Sequence, residues 1–394
     1  MSRYHLDPTR EQERALLRHC SDARYVWNLC VEQESWWRRD RGKMPGWAER
    51  CRQLTEARAD NPWLAGGSVT VQQQAVRDHG QAMAWFFAGT HRRPRWRKKG
   101  EDEGFRIIHV KPSHVRRLNR NHGAVFVPKA GWVRFRWSRP VPADVKSFRI
   151  TRDRAGRWHV AFAVIPEPVP GPGNGEAVGI DRGIAVNAAL STGEMLRVPG
   201  LSVCEASRLR RLERKLAKAK RGSRRRDTVK SSAARLKARE RDRCKDWYEK
   251  TSTDIARRFD VIRVEDLNVR GMMRSARGTV EAPGGNVAAE AGLNREISRS
   301  GWGLLVRRLE DKAPGRVERV NPAYTSQRCS ACGHVARENR ESQAVFLCTA
   351  CEFACNADVN AARNIAAGHA VKARRGDGTS RPLTREPQLA LLSA

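Results

Sequence analysis

The spacing of apolar residues changes period along the chain. Over residues 7–40, Leu16, Leu17, Cys20, Ala23, Val26, Trp27 and Cys30 recur every three or four positions. That is the stripe of an amphipathic helix. Asp7 or Thr9 can cap it, and Pro8 is tolerated at the entry. Helical spacing returns over 47–58 and 69–88. From 104 to 165 the period drops to two. Ala124-Val125-Phe126-Val127, Trp132-Val133-Arg134-Phe135 and Trp158-His159-Val160-Ala161-Phe162 are short runs split by Gly, Pro and Asn. They predict a small antiparallel β-domain. Four Pro and three Gly within 166–175 predict a linker.

A second block opens with the apolar strand Val178-Gly179-Ile180, which ends on Asp181. Strand-like runs follow near 184–190 and 195–198. Residues 204–258 read as two long helices joined near Gly222-Ser223. Leu209, Leu212 and Leu216 mark an apolar stripe on the first, and Leu236 belongs to the second. A strand follows over 260–265 and ends on Glu265. Residues 270–295 show little periodicity and predict a mobile loop. A helix over 297–313, a strand over 316–320 and a last helix over 358–368 complete the block. The polar stretch after 370 is expected to lack fixed structure.

Charge sharpens this outline. The chain has 394 residues, enough for two or three domains, and 40% of them are hydrophobic. Lys and Arg number 76 against 43 Asp and Glu, a net charge of +33. Such an excess repels itself unless a polyanion is near, which points to nucleic acid. Two places concentrate it. The stretch His91 to Gly100 holds six cations and Trp96, the composition of a phosphate-gripping loop. Residues 208–243 hold 17 Lys or Arg against four acids. A solvated helical face is the plainer reading of the latter, but that density favours an arm facing nucleic acid. The N-terminus begins no apolar run, and no stretch approaches the ~18 apolar residues of a membrane span. A reducing cytoplasm and no membrane partner are therefore expected. Cys20, Cys30, Cys51, Cys204 and Cys244 then read as ordinary buried thiols.

The other cysteines are organised. Cys329-x2-Cys332 and Cys348-x2-Cys351 stand 15 residues apart, the spacing of a structural zinc ribbon. Gly333 follows the first pair, where a tight turn favours glycine. Cys355 is a surplus thiol that ranks below those four as a ligand. The ribbon runs directly into Asp358, expected as the N-cap of the last helix. Asp181, Glu265 and Asp358 are each unremarkable alone, since acids at strand ends and caps are common. Together, with three strands, helix, strand, helix, strand and helix in order, they match an RNase H-like nuclease. Phosphodiester cleavage needs an aligned nucleophile and neutralised charge at phosphorus. Hard Mg²⁺ ions held by converging carboxylates can supply both, two ions ~4 Å apart in the usual arrangement. Asp181 would bridge both ions, with Glu265 and Asp358 each favouring one.

The runs Val178 to Gly183, Val264 to Met272, Ser300 to Gly303, Tyr324 to His334 and Asp358 to Ile365 are similar to signature segments of the TnpB family, proteins encoded by insertion sequences. Pro8 to Gln12 and Pro94 to Lys99 also resemble it, so the likeness spans 4–368. Departures are Cys355-Asn356-Ala357 before the last acid and a Gly- and Ala-rich loop over 273–296. The resemblance implies an RNA-guided DNA endonuclease related to type V CRISPR effectors. Its guide RNA would derive from the transposon end. Its target would be double-stranded DNA with a short adjacent motif, cut at one RuvC-like site. When bound to DNA it would sit in the bacterial nucleoid. The implied fold is an α/β multidomain protein. A RuvC nuclease domain (176–324 and 357–368) carries an inserted zinc ribbon (325–356). An N-terminal β-barrel-like wedge domain (1–15 and 104–170) carries an inserted helical recognition lobe (16–103), and 369–394 forms a tail. The alternatives are a DNA-joining transposase and a catalytically silent RNA-guided DNA-binding repressor.

Overall fold

The structure is a computed structural model that describes residues 2–368, apart from 39, 41, 43, 102, 144, 165, 166 and 280. The chain divides into two compact units. The first is Met1–Ile165 with Val203–Ala238, and the second is Pro166–Ser202 with Arg239–Ala394. The predicted tail, 369–394, lies outside the described residues.

In the first unit, β1 (Ser2–Leu6) is followed by the helices α1 (Arg10–Ser35), α2 (Trp47–Asp60), α3 (Pro62–Ala65) and α4 (Val69–Phe87). Then come β2 (Gly104–Ile108), β3 (Val115–Arg117), β4 (His122–Val127), β5 (Gly131–Arg136), β6 (Ser147–Arg152) and β7 (Trp158–Ala163). One sheet runs β2-β6-β7-β1-β5-β4-β3 with every neighbour antiparallel. Among the described residues, its hydrogen-bond ladder runs from β2 at one end to β3 at the other. The N-terminal strand sits inside this sheet between β7 and β5, so residues far apart in sequence share one β-layer. The expected β-character of 1–15 holds only to Leu6. Thr9 and Gln12 form a reciprocal capping box that starts α1 at Arg10. Leu16, Cys20, Ala23 and Val26 of α1 join Phe105, Phe148 and Phe162 of the sheet in one core.

In the second unit, β8 (Ala177–Asp181), β9 (Ala188–Leu190) and β10 (Met195–Leu196) lead to the hairpin of α5 (Val203–Lys218) and α6 (Arg224–Arg258). All of α5, and α6 as far as Ala238, belong to the first unit. Next are β11 (Val261–Glu265), α7 (Val269–Met272), α8 (Val287–Ser300), α9 (Trp302–Lys312) and β12 (Val317–Val320). The small hairpin of β13 (Val345–Leu347) and β14 (Ala354–Asn356) precedes α10 (Ala357–Ala366). The sheet order is β10-β9-β8-β11-β12, with β8, β11 and β12 parallel and β9 reversed. Val178, Ile180, Ile262, Val264, Ile255 and Leu309 form its core.

Three expectations need correction here. The loop expected over 270–295 is helical from Val287, because Val-Ala-Ala-Glu-Ala has high helix propensity while offering little apolar stripe. The helix expected over 297–313 breaks at Gly301, whose φ of 57° ends α8 and starts α9. Of the scattered cysteines only Cys20 and Cys30 are buried; Cys51 and Cys244 are half-buried and Cys204 is exposed.

Candidate active site and metal centre

Two of the three predicted acids are neighbours by strand register. Parallel pairing of β8 and β11 sets Ile180 beside Val264, so the next residues, Asp181 and Glu265, end adjacent strands side by side. Glu265 is buried and accepts a 2.8 Å hydrogen bond from the Thr325 hydroxyl. Arg182, also buried, donates to the backbone carbonyl of Glu265. Burial lowers the pKa of this guanidinium, and the carboxylates of Glu265 and Asp181 work in the opposite direction. One step further out, Asp266 meets Arg319 at 3.1 Å.

Asp358 arrives on α10, which packs on β8, β9 and β11. It is the second residue of the helix and not its N-cap. Asn356 fills that role, its side chain accepting from the N–H groups of Asp358 (3.0 Å) and Val359 (3.3 Å). A carboxylate in the first turn is favoured by the helix dipole. Close packing of α10 depends on small residues. A Cβ on Gly179 of β8 would lie 2.9 Å from the Ala366 Cα and closer still to the Ala362 carbonyl oxygen. Glycine is therefore required in the middle of that strand for close approach, not for a turn.

The four cysteines converge. Their Sγ atoms all lie within 4.8 Å of one another, with Cys329 and Cys348 buried and Cys332 and Cys351 exposed. Two knuckles of like construction bring them together. In the first, Gly333 donates to the Cys329 carbonyl at 3.0 Å with φ 80°. In the second, Glu352 does the same to Cys348 at 3.0 Å with φ 58°. For Cys348, burial opposes ionisation, but the N–H groups of Ala350 and Cys351, with hydrogen bonds from the Cys351 and Cys332 thiols, outweigh it and bring the thiol down to about 6. Despite the N–H of Phe353, the surrounding sulfurs push Cys351 up to about 12. Four thiolates cannot coexist so closely without a cation, and a tetrahedral soft-donor set suits zinc. Cys355 stands apart from this group, in β14 opposite Phe346, packed against the ribbon core.

The ribbon is tied to α10 by side chains that periodicity does not reveal. Asn360 donates to the Arg328 carbonyl (2.7 Å) and accepts from the Ser330 N–H (2.9 Å). Asn364 donates to the carbonyls of Thr325 (2.9 Å) and Arg328 (2.7 Å). Thr325 thus touches α10 through its carbonyl and Glu265 through its hydroxyl. Thr325, Asn360, Asn364 and Arg182 all lie within the motif runs. Their partners are mostly backbone atoms distant in sequence, which no spacing rule identifies.

Comparison with known proteins shows the family. Three family models match the chain: "Helix-turn-helix domain" over 2–43, "Probable transposase" over 159–276 and "Cas12f1-like, TNB domain" over 302–365. Among the described residues, the first span holds a strand and a 26-residue helix. A solved structure of a Cas12f1–sgRNA–target DNA complex superposes with a TM-score of 0.53 at 13% identity, covering 90% of this chain and 82% of that one. The class is therefore a Cas12f-like α/β protein with a four-cysteine cluster. The "Putative RNA-guided DNA endonuclease InsQ" of Escherichia coli (strain K12) is 35% identical over 98% of this chain and 96% of its own length. A "Putative RNA-guided DNA endonuclease" of Streptomyces pristinaespiralis is 30% identical over 95% and 90%. The chain belongs to the TnpB family.

Proposed function

We propose that this protein is an RNA-guided DNA endonuclease that hydrolyses phosphodiesters at a RuvC-like site formed by Asp181, Glu265 and Asp358. The observation that carries the reading is the pairing of Asp181 and Glu265 at the ends of adjacent parallel strands, with the helix of Asp358 packed across β8. The sheet order β10-β9-β8-β11-β12, with the acid-bearing first strand at its centre, supports an RNase H-like reading.

The donor set consists of carboxylate oxygens, which suits hard divalent cations such as Mg²⁺ and not soft ones. Bound there, magnesium would supply charge neutralisation at phosphorus and a water acidic enough to attack. Asp181, Glu265 and Asp358 would hold it. Thr325 fixes the Glu265 carboxylate by its hydroxyl, so that oxygen is oriented before any ligand arrives. Arg182 balances part of the negative charge from behind. The net charge of +33 supplies a field for two polyanions at once, a guide RNA from the transposon end and a DNA duplex with an adjacent motif. Base pairing would read sequence while basic surfaces hold the backbones. The setting would be the bacterial cytoplasm. The zinc ribbon would hold the first knuckle still and, through Asn360 and Asn364, position α10.

Asp181→Ala tests the assignment. Guide-dependent, Mg²⁺-dependent cutting of plasmid DNA should vanish while RNA and DNA binding persist in gel-shift assays. Cutting at the wild-type rate would defeat the proposal. Wild-type protein that binds guide and target yet never cuts would favour the silent repressor.

A further inference from the structure

We infer that the segment 91–99 of the first unit is a preformed platform for an unpaired DNA base, with Trp96 as the stacking ring. The segment has no helix or strand over 92–98, yet it is fastened along its length. Trp27 of α1 donates from its indole nitrogen to the Arg95 carbonyl at 3.0 Å. The next residue, Asn28, grips Arg97 twice, donating to its carbonyl (3.2 Å) and accepting from its N–H (2.8 Å). The carbonyls of Arg95 and Arg97 are thus both held by neighbouring residues of α1. The Arg97 guanidinium folds back over the Trp27 ring at 3.6 Å. At the start, His91 stacks on Trp85 at 4.9 Å, and at the end the N–H of Gly100 donates to Glu103 at 2.7 Å.

Fastened in this way, the segment offers Trp96 to solvent, 51% exposed, with Arg92, Arg95 and Lys99 also exposed. Pro94 stiffens the approach and biases Arg93 towards extended backbone. Sequence alone suggested a loop that grips phosphates. The structure adds that the loop is ordered in advance and that its aromatic member faces out while Trp27 faces in. Ordering paid at folding is not paid again at binding.

The occupant follows from chemistry. Cations on both sides of an exposed indole suit a phosphate chain with a base between two phosphates. Within a duplex the base faces are already stacked on each other, so only an unpaired base has a face to give. DNA is chosen over RNA on the proposed function, because pairing of a guide with one strand leaves the other strand's bases unpaired.

Binding of labelled single-stranded DNA 12-mers to the full zinc-loaded chain, without guide and without added Mg²⁺, tests this without any cleavage step. Trp96→Ala should weaken binding about ten-fold, as expected for one stacked base, and Trp96→Phe should restore most of it. An oligonucleotide of abasic sites should cost the wild type a similar factor and Trp96→Ala almost nothing more. Arg95→Ala with Lys99→Ala should weaken both oligonucleotides and flatten the salt dependence. Equal affinities of wild type and Trp96→Ala would overturn the inference. So would an abasic penalty unchanged by Trp96→Ala, or an equal or larger Trp96 dependence on single-stranded RNA or blunt duplex. Because cutting is never measured, failure of the nuclease assignment would leave these outcomes readable.

Discussion

Gly179→Ala adds one methyl group between β8 and α10, and its cost can be worked from the packing. The new Cβ would lie 2.9 Å from the Ala366 Cα, whereas ordinary contact begins at 3.4 Å. Its nearest obstacles are the Ala362 carbonyl oxygen and the Ala366 N–H, all backbone, so no side chain can rotate away. The carbonyl oxygen is the nearest and sets the shift: the helix must move outward by about 1 Å, and overpacking of this kind costs about 1–3 kcal/mol, here at the upper end. At about 2–4 °C per kcal/mol for a unit of this size, the melting point should fall by roughly 6–12 °C. The same movement carries Asp358 away from Asp181 and Glu265. A misplacement approaching 1 Å costs on the order of 100-fold in rate, so cleavage should suffer more than stability. Gly303→Ala is the control. It sits in α9 with nothing within 4 Å of its Cβ, and should be neutral or stabilising by up to ~1 kcal/mol. Differential scanning calorimetry and plasmid cleavage read both variants. A Gly179→Ala protein that melts and cuts like the wild type would refute the close-packing argument.

Other perturbations probe other parts. Cys348→Ser should release zinc, measured by atomic absorption, and lower the melting point by at least several degrees, because a structural Cys₄ site contributes directly to folding. Wild-type protein free of zinc would remove the ribbon assignment. Glu352 occupies in the second knuckle the left-handed position that Gly333 holds in the first, so Glu352→Gly should stabilise the ribbon by about 0.5–1 kcal/mol in chemical denaturation. A loss of stability would show that the Glu352 side chain matters more than its backbone. Burial pushes the His159 imidazole down to about 4, against an ordinary value of 6.5. The unfolded chain therefore binds this proton first, and stability present at pH 7 is lost as pH falls from 6.5 towards 4. The loss at pH 5 should be about 2 kcal/mol, seen as a pH-dependent denaturation midpoint that flattens in His159→Phe.

Much of the fold was legible because burial imposes a period. The stripe of α1 and the alternation of β4, β5 and β7 follow from which side chains must avoid water, whereas α5, with Leu209, Leu212 and Leu216 only half-buried, was legible from their spacing alone. The cysteine cluster was legible because metal ligands need fixed spacing. Less visible was whatever depends on backbone partners. Asn356 displaces Asp358 from the N-cap, and nothing in the composition distinguishes an amide cap from a carboxylate cap two residues on. Thr325 and Asn364 are polar residues within motifs, and their value lies in carbonyls brought close only by folding. The helix α8 was hidden because alanine favours helix without marking a face. Asp181 and Glu265 were recognised as strand-ending acids, but their adjacency is a property of parallel register, which a single strand does not reveal.

Thr325 has a consequence for the newly made chain. It stands where the polypeptide leaves the sheet for the cysteine knuckles, and it holds an acid with one group and the final helix with another. A polypeptide that has not yet acquired its metal would possess every acidic residue and still lack a cutting edge, because the last acid arrives on a helix that the knuckles must hold. On the proposed reading, cutting would thus wait until the last helix has been made and the knuckles have closed.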